Sequence, residues 1–394
     1  VYYVSRQSDV IVENDEVDGK ETKTRTLEGG GTEPYTITNN LGDDTISTAL
    51  ATYSMAAFKN VEALVYTGPS NSKLTGNSIS NSIYGGLSVK NTINGGDGDD
   101  YLFGGDTTDS LYGGNGNDTL YGGGGNDTYF INSTFDYIYD SSGTDTAYVS
   151  TSFVKIPSTI EKVVYTEGAQ ALPYWIDALI PDSGAGLRFK SILNGSKAYY
   201  YAFPTTLPSY DTSADNAKGF VGFNANQIAR TEIALGYIST VVDLQFLKSY
   251  KTATGYTISF GSNTQFGSGG YAQYPSESFI GSDLFLNNAD YNKTLADGTY
   301  GANVLMHELG HALGLKHPFD EPDADGDIGP PPYLQGSEDS GTWTYMSYND
   351  TSAEWDLNYS PLDIAALQYI YGPSKYSRRE NDTYKVSQAA PNFI

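Results

Sequence analysis

His307-Glu308-Leu309-Gly310-His311-Ala312-Leu313-Gly314-Leu315-Lys316-His317 holds all three histidines of a 394-residue chain that contains no cysteine. On a helix, residues four apart lie one turn apart on the same face, so His307 and His311 can aim at one ion. Histidine is the commonest side-chain metal ligand, and without cysteine no thiolate competes for the metal. Gly298 and Thr299 offer a helix start, and Val304, Leu305, Leu309, Ala312 and Leu313 supply an apolar stripe. Gly314 ends the helix, because a residue without a β-carbon accepts a left-handed conformation. His317 then arrives from outside the helix, and Pro318 cannot extend it. Three neutral imidazoles leave one position of a tetrahedral zinc open, which is the catalytic rather than the structural pattern. Glu308 follows the first ligand and can reach a water at that open position as a general base. The competing reading is an amphipathic core helix with incidental histidines, and the number of fixed positions in the pattern weighs against it.

This segment resembles the zinc motif of the metzincin metalloproteases, and Tyr345-Met346-Ser347-Tyr348 resembles the methionine turn of their serralysin branch. Methionine occurs only 3 times in the chain, so Met346 is informative; tyrosine occurs 34 times, so Tyr348 alone is not. The resemblance implies an α+β zincin/metzincin-like catalytic domain with Met346 as a hydrophobic floor beneath the ligands. It implies that Tyr348 is a resting-state zinc ligand that swings away to donate a hydrogen bond to the oxyanion. A packed core tyrosine is the plainer reading of Tyr348. Gly269 to Pro275 resembles the edge strand with which that family pairs an extended substrate, through Gly270, Tyr271 and Ala272. Ile176 to Leu179 and Tyr200 to Pro204 resemble the family's opening strands. Periodicity predicts a helix over Asn226 to Leu244 and a strand over Tyr256 to Phe260. Ser360-Pro361 caps a closing helix, Leu362 to Tyr371, ended by Gly372-Pro373.

A second pattern is independent of the histidines. Gly95-Gly96-Asp97-Gly98-Asp99-Asp100 opens four tandem nine-residue units that restart at Gly104, Gly113 and Gly122. The sixth position is always aspartate and the eighth is Leu102, Leu111, Leu120 or Tyr129. The units resemble the nonapeptide of RTX proteins, which implies an all-β parallel β-roll that binds calcium. Carbonyls and carboxylates of the turns suit a hard cation, and the expected ligands are Gly96, Gly98, Asp100, Asp109, Gly114, Gly116, Asp118, Gly123, Gly125 and Asp127. Without the ion the stacked aspartates repel, so the segment is expected to be disordered. Thr107 replaces a glycine in the second unit. Upstream, Ile83 and Ile93 continue the inward ladder, but Gly85 to Lys90 lacks the aspartate and its turn is expected to stack without metal. A flexible Gly/Asn/Asp linker is the competing reading, disfavoured by a register that holds for four units.

Longer segments also recur. Tyr2 to Glu13 returns as Tyr129 to Asp140, and Val61 to Thr67 returns as Ile160 to Thr166, with an acidic loop over about Asn14 to Thr32 inserted in the first copy. Residue 1 therefore reads as mid-repeat, and Asn381-Asp382-Thr383-Tyr384 as a resuming repeat, so a larger parent protein is expected. The expected domains are a roll-type β domain over 1–168, a serralysin-like protease over 169–375, and the start of a further RTX-like segment over 376–394. The roll stands before the protease, the reverse of the usual serralysin order.

With 47 acidic and 22 basic residues the net charge is −25, which argues against nucleic acid and against anionic membranes as partners. The acidic run Asp320 to Asp327 reads as a solvated loop in preference to a further cation site. Calcium replaces disulfides as the staple of a secreted chain, and no apolar run is long enough to span a membrane. RTX resemblance implies a bacterial protein, extracellular or on the cell surface, exported by type I secretion. The expected function is a calcium-stabilised zinc endopeptidase acting on extended peptides, on its own or within a larger surface or secreted assembly. The alternative is a structural or adhesive RTX surface protein whose protease module is passive.

Overall fold

The computed structural model describes residues 2–4, 19–26, 32–39, 44–182, 198–249, 257–275, 282–320, 330–349 and 355–375. The chain divides into two compact units, Val1–Leu172 and Pro173–Ile394.

In the first unit each nine-residue repeat makes half a coil. Its glycine-rich turn leads into a short strand, and successive strands alternate between two parallel seven-stranded sheets. One sheet runs from Tyr2–Val4 through Thr45–Thr48, Ala63–Tyr66, Ser82–Tyr84, Tyr101–Gly105 and Thr119–Gly123 to Tyr137–Tyr139. The other runs from Thr52–Ser54 through Ser72–Thr75, Asn91–Asp97, Ser110–Asn115, Thr128–Ile131 and Thr146–Val149 to Lys162–Tyr165. Pairing joins residues two repeats apart, as in Leu102 with Leu120 and Leu111 with Tyr129. Because side chains alternate across a strand, the eighth position of every unit points inward. Ile83, Ile93, Leu102, Leu111, Leu120 and Tyr129 are all fully buried, and the same ladders continue to Ile46 and Ala147.

The flanks therefore belong to the same two sheets as the consensus repeats. The second recurring pair, Val61 to Thr67 and Ile160 to Thr166, shares one structural feature. Glu62 accepts a hydrogen bond from the Asp44 N–H, and Glu161 accepts one from the Asp145 N–H, each at 2.7 Å. The expected acidic loop is corrected in part. Gly19–Thr26 is a strand paired antiparallel with Thr32–Asn39. Threonine at every second position from Thr22 favours extended backbone, and pairing satisfies its polar groups better than a loop would.

The second unit is built on a mixed sheet in the order Gln245–Lys248, Ala198–Ala202, Thr257–Asn263, Leu284–Asn287, Gly270–Ala272. The first four strands are parallel, and Gly270–Ala272 is antiparallel at the edge. Three helices, Ala225–Val241, Tyr300–Ala312 and Pro361–Tyr371, share one core with it through residues such as Ile238, Leu305, Leu309, Leu367 and Ile370. The first of these begins earlier than its periodicity indicated. The Asn224 side chain accepts from Gln227 N–H while Gln227 reaches back to Asn224 N–H, a reciprocal cap. It ends at Val241 because Val242 is already extended, with φ −121°. The strand expected from Tyr256 runs over Thr257–Asn263.

One expectation is overturned. Ile176 to Leu179 is not a strand, since Tyr174–Asp177 forms a helical turn closed by the Ala178 N–H to the Tyr174 carbonyl at 2.7 Å. Pro173 stands at its start, where a missing N–H costs nothing. Ala178, Leu179 and Ile180 then enter the core together, so their apolar run reflects burial on all sides and not a strand. Residues 376–394, where a resuming repeat is expected, lie outside the described residues, as does most of the acidic run from Asp320.

Leu111 fills its layer of the roll with no exposed surface. Leu111→Ala should cost about 2–5 kcal/mol. In urea with calcium present, the roll transition is expected to move to lower denaturant while that of the second unit stays in place. Equal displacement of both would contradict separate cores.

Candidate metal centres

Thr299 caps the helix that carries the histidines, accepting a hydrogen bond from the Ala302 N–H at 3.4 Å. The helix ends as its glycine requires: Gly314 has φ +100°, and the Leu315 N–H returns to the Gly310 carbonyl at 2.9 Å. That turn carries His317 back to the helix face. The three Nε2 atoms lie 3.0, 3.2 and 3.0 Å apart. His307 Nδ1 is 2.6 Å from the Tyr345 carbonyl and His311 Nδ1 is 2.8 Å from the Leu315 carbonyl. A carbonyl only accepts, so both Nδ1 atoms carry the proton and both Nε2 atoms present lone pairs. Burial, reinforced at His311 by the neighbouring imidazole, lowers the pKa values of His307 and His311 to about 4 and about 3; burial and two imidazole neighbours lower that of His317 as well. Neutral rings with converging lone pairs fit a cation. Zinc–nitrogen bonds of about 2.0–2.1 Å in a tetrahedron need nitrogens roughly 3.3 Å apart, close to the spacing seen.

Glu308 is buried beside this trio, and burial pushes its carboxyl up to about 8. The edge strand passes directly over it: a β-carbon on Gly270 would stand 2.8 Å from Glu308 Cγ. Tyr271 pairs with Phe285 and Ala272 with Leu284, so one side of this strand is bonded and the other faces the cleft. The cleft measures about 970 Å³ and is lined by the three histidines, Glu308, Gly270, Tyr271, Ala272 and Tyr348. Met346 is fully buried under the site. Tyr348 is 54% exposed, its ring stacked on His307 at 5.5 Å and 4.8 Å from that of His317.

Two supporting residues escaped the sequence reading. A β-carbon on Gly310 would overlap the Met346 sulfur, so the glycine inside the motif is what admits the methionine. Asp363, fully buried, accepts from Thr344 Oγ1 at 2.6 Å, Tyr345 N–H at 2.9 Å and Ser360 N–H at 3.1 Å. It holds the turn whose Tyr345 carbonyl orients His307. The available signal was an acidic residue three places after Ser360, the spacing of a capping box.

In the roll, the aspartates at the sixth positions stack two repeats apart. Oδ1 of Asp118 accepts from the Asp100 N–H and Oδ1 of Asp127 from the Asp109 N–H, both at 2.8 Å. The Oδ2 atoms of Asp100, Asp109, Asp118 and Asp127 are buried and have no hydrogen-bond partner. Gly96, Gly98, Gly114, Gly116, Gly123 and Gly125 all have positive φ, between 99° and 138°, which a side chain would resist. The first glycines, not among the expected ligands, make the room: a β-carbon at Gly95 or Gly113 would collide with the carboxylate of Asp100 or Asp118. Orphaned buried carboxylate oxygens inside carbonyl-rich turns fit calcium. Upstream, the turn after Gly85 is one residue longer, which moves the polar residue to Asn91. Its neutral amide faces the carbonyls of Gly86, Val89 and Gly104 as a hydrogen-bond donor, so the turn's carbonyls are met by N–H groups.

Four copies of the RTX calcium-binding nonapeptide repeat match residues 94–129. The chain is 33% identical to Serralysin G of Dickeya chrysanthemi over 207 residues, which is 50% of this chain and 43% of that protein. It is 32% identical to Metallopeptidase AprA of Pseudomonas marginalis over 210 residues, 48% of this chain and 43% of that one. The chain thus resembles the serralysins over about half of its length and carries RTX repeats. A shorter match, 38% over 129 residues, joins it to Serralysin of Proteus mirabilis, covering 29% of this chain and 26% of the relative. The chain thus spans less than half the length of these relatives.

The carboxyls of Asp100, Asp109, Asp118 and Asp127 are raised by burial from 3.8 to about 8, 6, 7 and 7 in the ion-free roll. A folded state that holds protons more tightly than the unfolded chain is favoured at low pH, and the advantage is lost as pH rises through the folded values. With calcium chelated, circular dichroism should show more ordered roll at pH 5 than at pH 8. Saturating calcium should abolish the difference. An ion-free roll more ordered at pH 8 would contradict this.

Proposed function

We propose that this chain is a secreted, calcium-stabilised zinc metalloendopeptidase whose second unit is a metzincin-like catalytic domain. The observation that carries the proposal is the convergence of three imidazole Nε2 atoms, 3.0–3.2 Å apart, beside a buried glutamate beneath an edge strand. His307, His311 and His317 would hold zinc, which when bound supplies Lewis-acid polarisation of a carbonyl and acidifies water. Glu308 accepts a proton from water on its carboxylate and later delivers it to the leaving amine. Backbone groups of Gly270, Tyr271 and Ala272 orient an extended peptide, so affinity depends little on most substrate side chains. Tyr348, on the exposed side of the histidines, serves as a movable ligand and hydrogen-bond donor to the oxyanion. Met346 and Gly314 shape the site without touching substrate.

The same reading places the protein outside the cell or on its surface, exported by type I secretion, with several calcium ions in the roll. Extracellular calcium modules have dissociation constants of roughly 10⁻⁴–10⁻³ M, so such sites fill outside the cell. A net charge of −25 leaves nucleic acid without a basic surface to bind. The adhesive alternative offers no reason to bury Glu308 against the ligands and the edge strand.

Glu308→Gln should retain one zinc per chain by elemental analysis and lose about 10²–10⁴ in turnover of an unstructured protein. Undiminished hydrolysis by that variant would remove Glu308 from the mechanism. Hydrolysis that survives complete zinc chelation would remove the metal.

A further inference from the structure

Beyond the four consensus repeats the roll makes another turn on the same edge, Asp140-Ser141-Ser142-Gly143-Thr144-Asp145. It stacks on the turn Gly122 to Asp127: the Gly125 N–H bonds to the Ser142 carbonyl at 3.0 Å and the Asp127 N–H to Asp145 Oδ1 at 2.6 Å. The turn departs from the repeat at its first position, where Asp140 replaces glycine. Carboxylate oxygens of Asp127, Asp140 and Asp145 consequently lie within 4.8 Å of one another. Asp127 and Asp145 are 1% and 0% exposed, and Oδ2 of each is buried without a hydrogen-bond partner. A β-carbon at Gly122 would meet Asp127 Oδ2 and the Tyr129 hydroxyl, and would stand 2.8 Å from Asp140 Oδ1. Oxygen atoms thus surround that space.

The opposite edge ends differently. Oδ2 of Asp136 accepts from the Asn132 and Ser133 N–H groups at 3.0 and 2.9 Å, so protein donors close that stack. Among the described residues, Asp127 and Asp145 receive no such donor on Oδ2. The Tyr129 hydroxyl donates to Asp140 Oδ1 at 2.5 Å and holds the third carboxylate in place. This explains why the last consensus unit carries tyrosine where the others carry leucine.

We propose that Asp127, Asp140 and Asp145 form a calcium site of their own, with three carboxylates, that binds more tightly than the consensus turns. Oxygen-only ligands select a hard cation over zinc, and affinity rises with the number of charged ligands. The inference rests on the roll being a calcium-binding element.

The test is calcium titration calorimetry on the full chain and on Asp140→Gly, which restores the glycine that four other turns carry, and on Asp145→Asn. The expected result is that the tightest calcium constant weakens at least tenfold in both variants while the weaker events persist. Terbium should give tyrosine-sensitised emission that falls in Tyr129→Phe. Isotherms of Asp140→Gly that superimpose on the parent, with a roll folded by circular dichroism, would overturn the proposal. If Asp145→Asn fails to fold, Asp140→Gly still decides. Absence of calcium binding by the parent would instead overturn the reading of the repeats.

Discussion

Acceptor atoms packed against acceptor atoms, with no proton between them, are the constraint on which both units depend. His307 and His311 point lone pairs at one another because their other nitrogens are committed to carbonyls. In the roll, each sixth-position aspartate spends one oxygen on a backbone N–H and buries the other without a donor. Burying a polar atom unpaired costs about 1–3 kcal/mol, and more for a charged one. A fold that repeats this arrangement is organised around cations.

The ligand chemistry sorts the ions. Imidazole suits zinc and is confined to one helix and the turn after it; the buried, unpartnered carboxylate oxygens of the stacked turns suit calcium. The roll holds no histidine, so it offers no imidazole. On the proposed reading, ions would tie together turns that each bury little. The second unit has a core of its own, so its histidines are placed by packing: Met346 beneath, Asp363 through Tyr345 to the side, and the edge strand above.

Much of this was legible in the sequence wherever local chemistry decided the outcome. Gly314 is left-handed as its position after the helix requires, and the inward ladder from Ile83 to Tyr129 follows from a nine-residue period. What escaped depended on contacts distant in sequence. Gly310 matters because Met346 lies against it, and Asp363 because Tyr345 does. Asn91 was obscured by one extra residue in its turn, which hid an amide standing in for aspartate. Ile176 to Leu179 misled because its resemblance to an opening strand rested on a short apolar run, which a helical turn leading into the core carries equally. Asp140, read only as the end of a recurring segment, comes within reach of Asp127 and Asp145 when the turns stack.

The most direct test of the central claim is X-ray absorption at the zinc edge on protein purified without added metal. The account predicts one zinc per chain with three imidazole nitrogens at about 2.0–2.1 Å and the remaining ligation by oxygen. An oxygen-only shell, or fewer than three imidazoles around the metal, would contradict it.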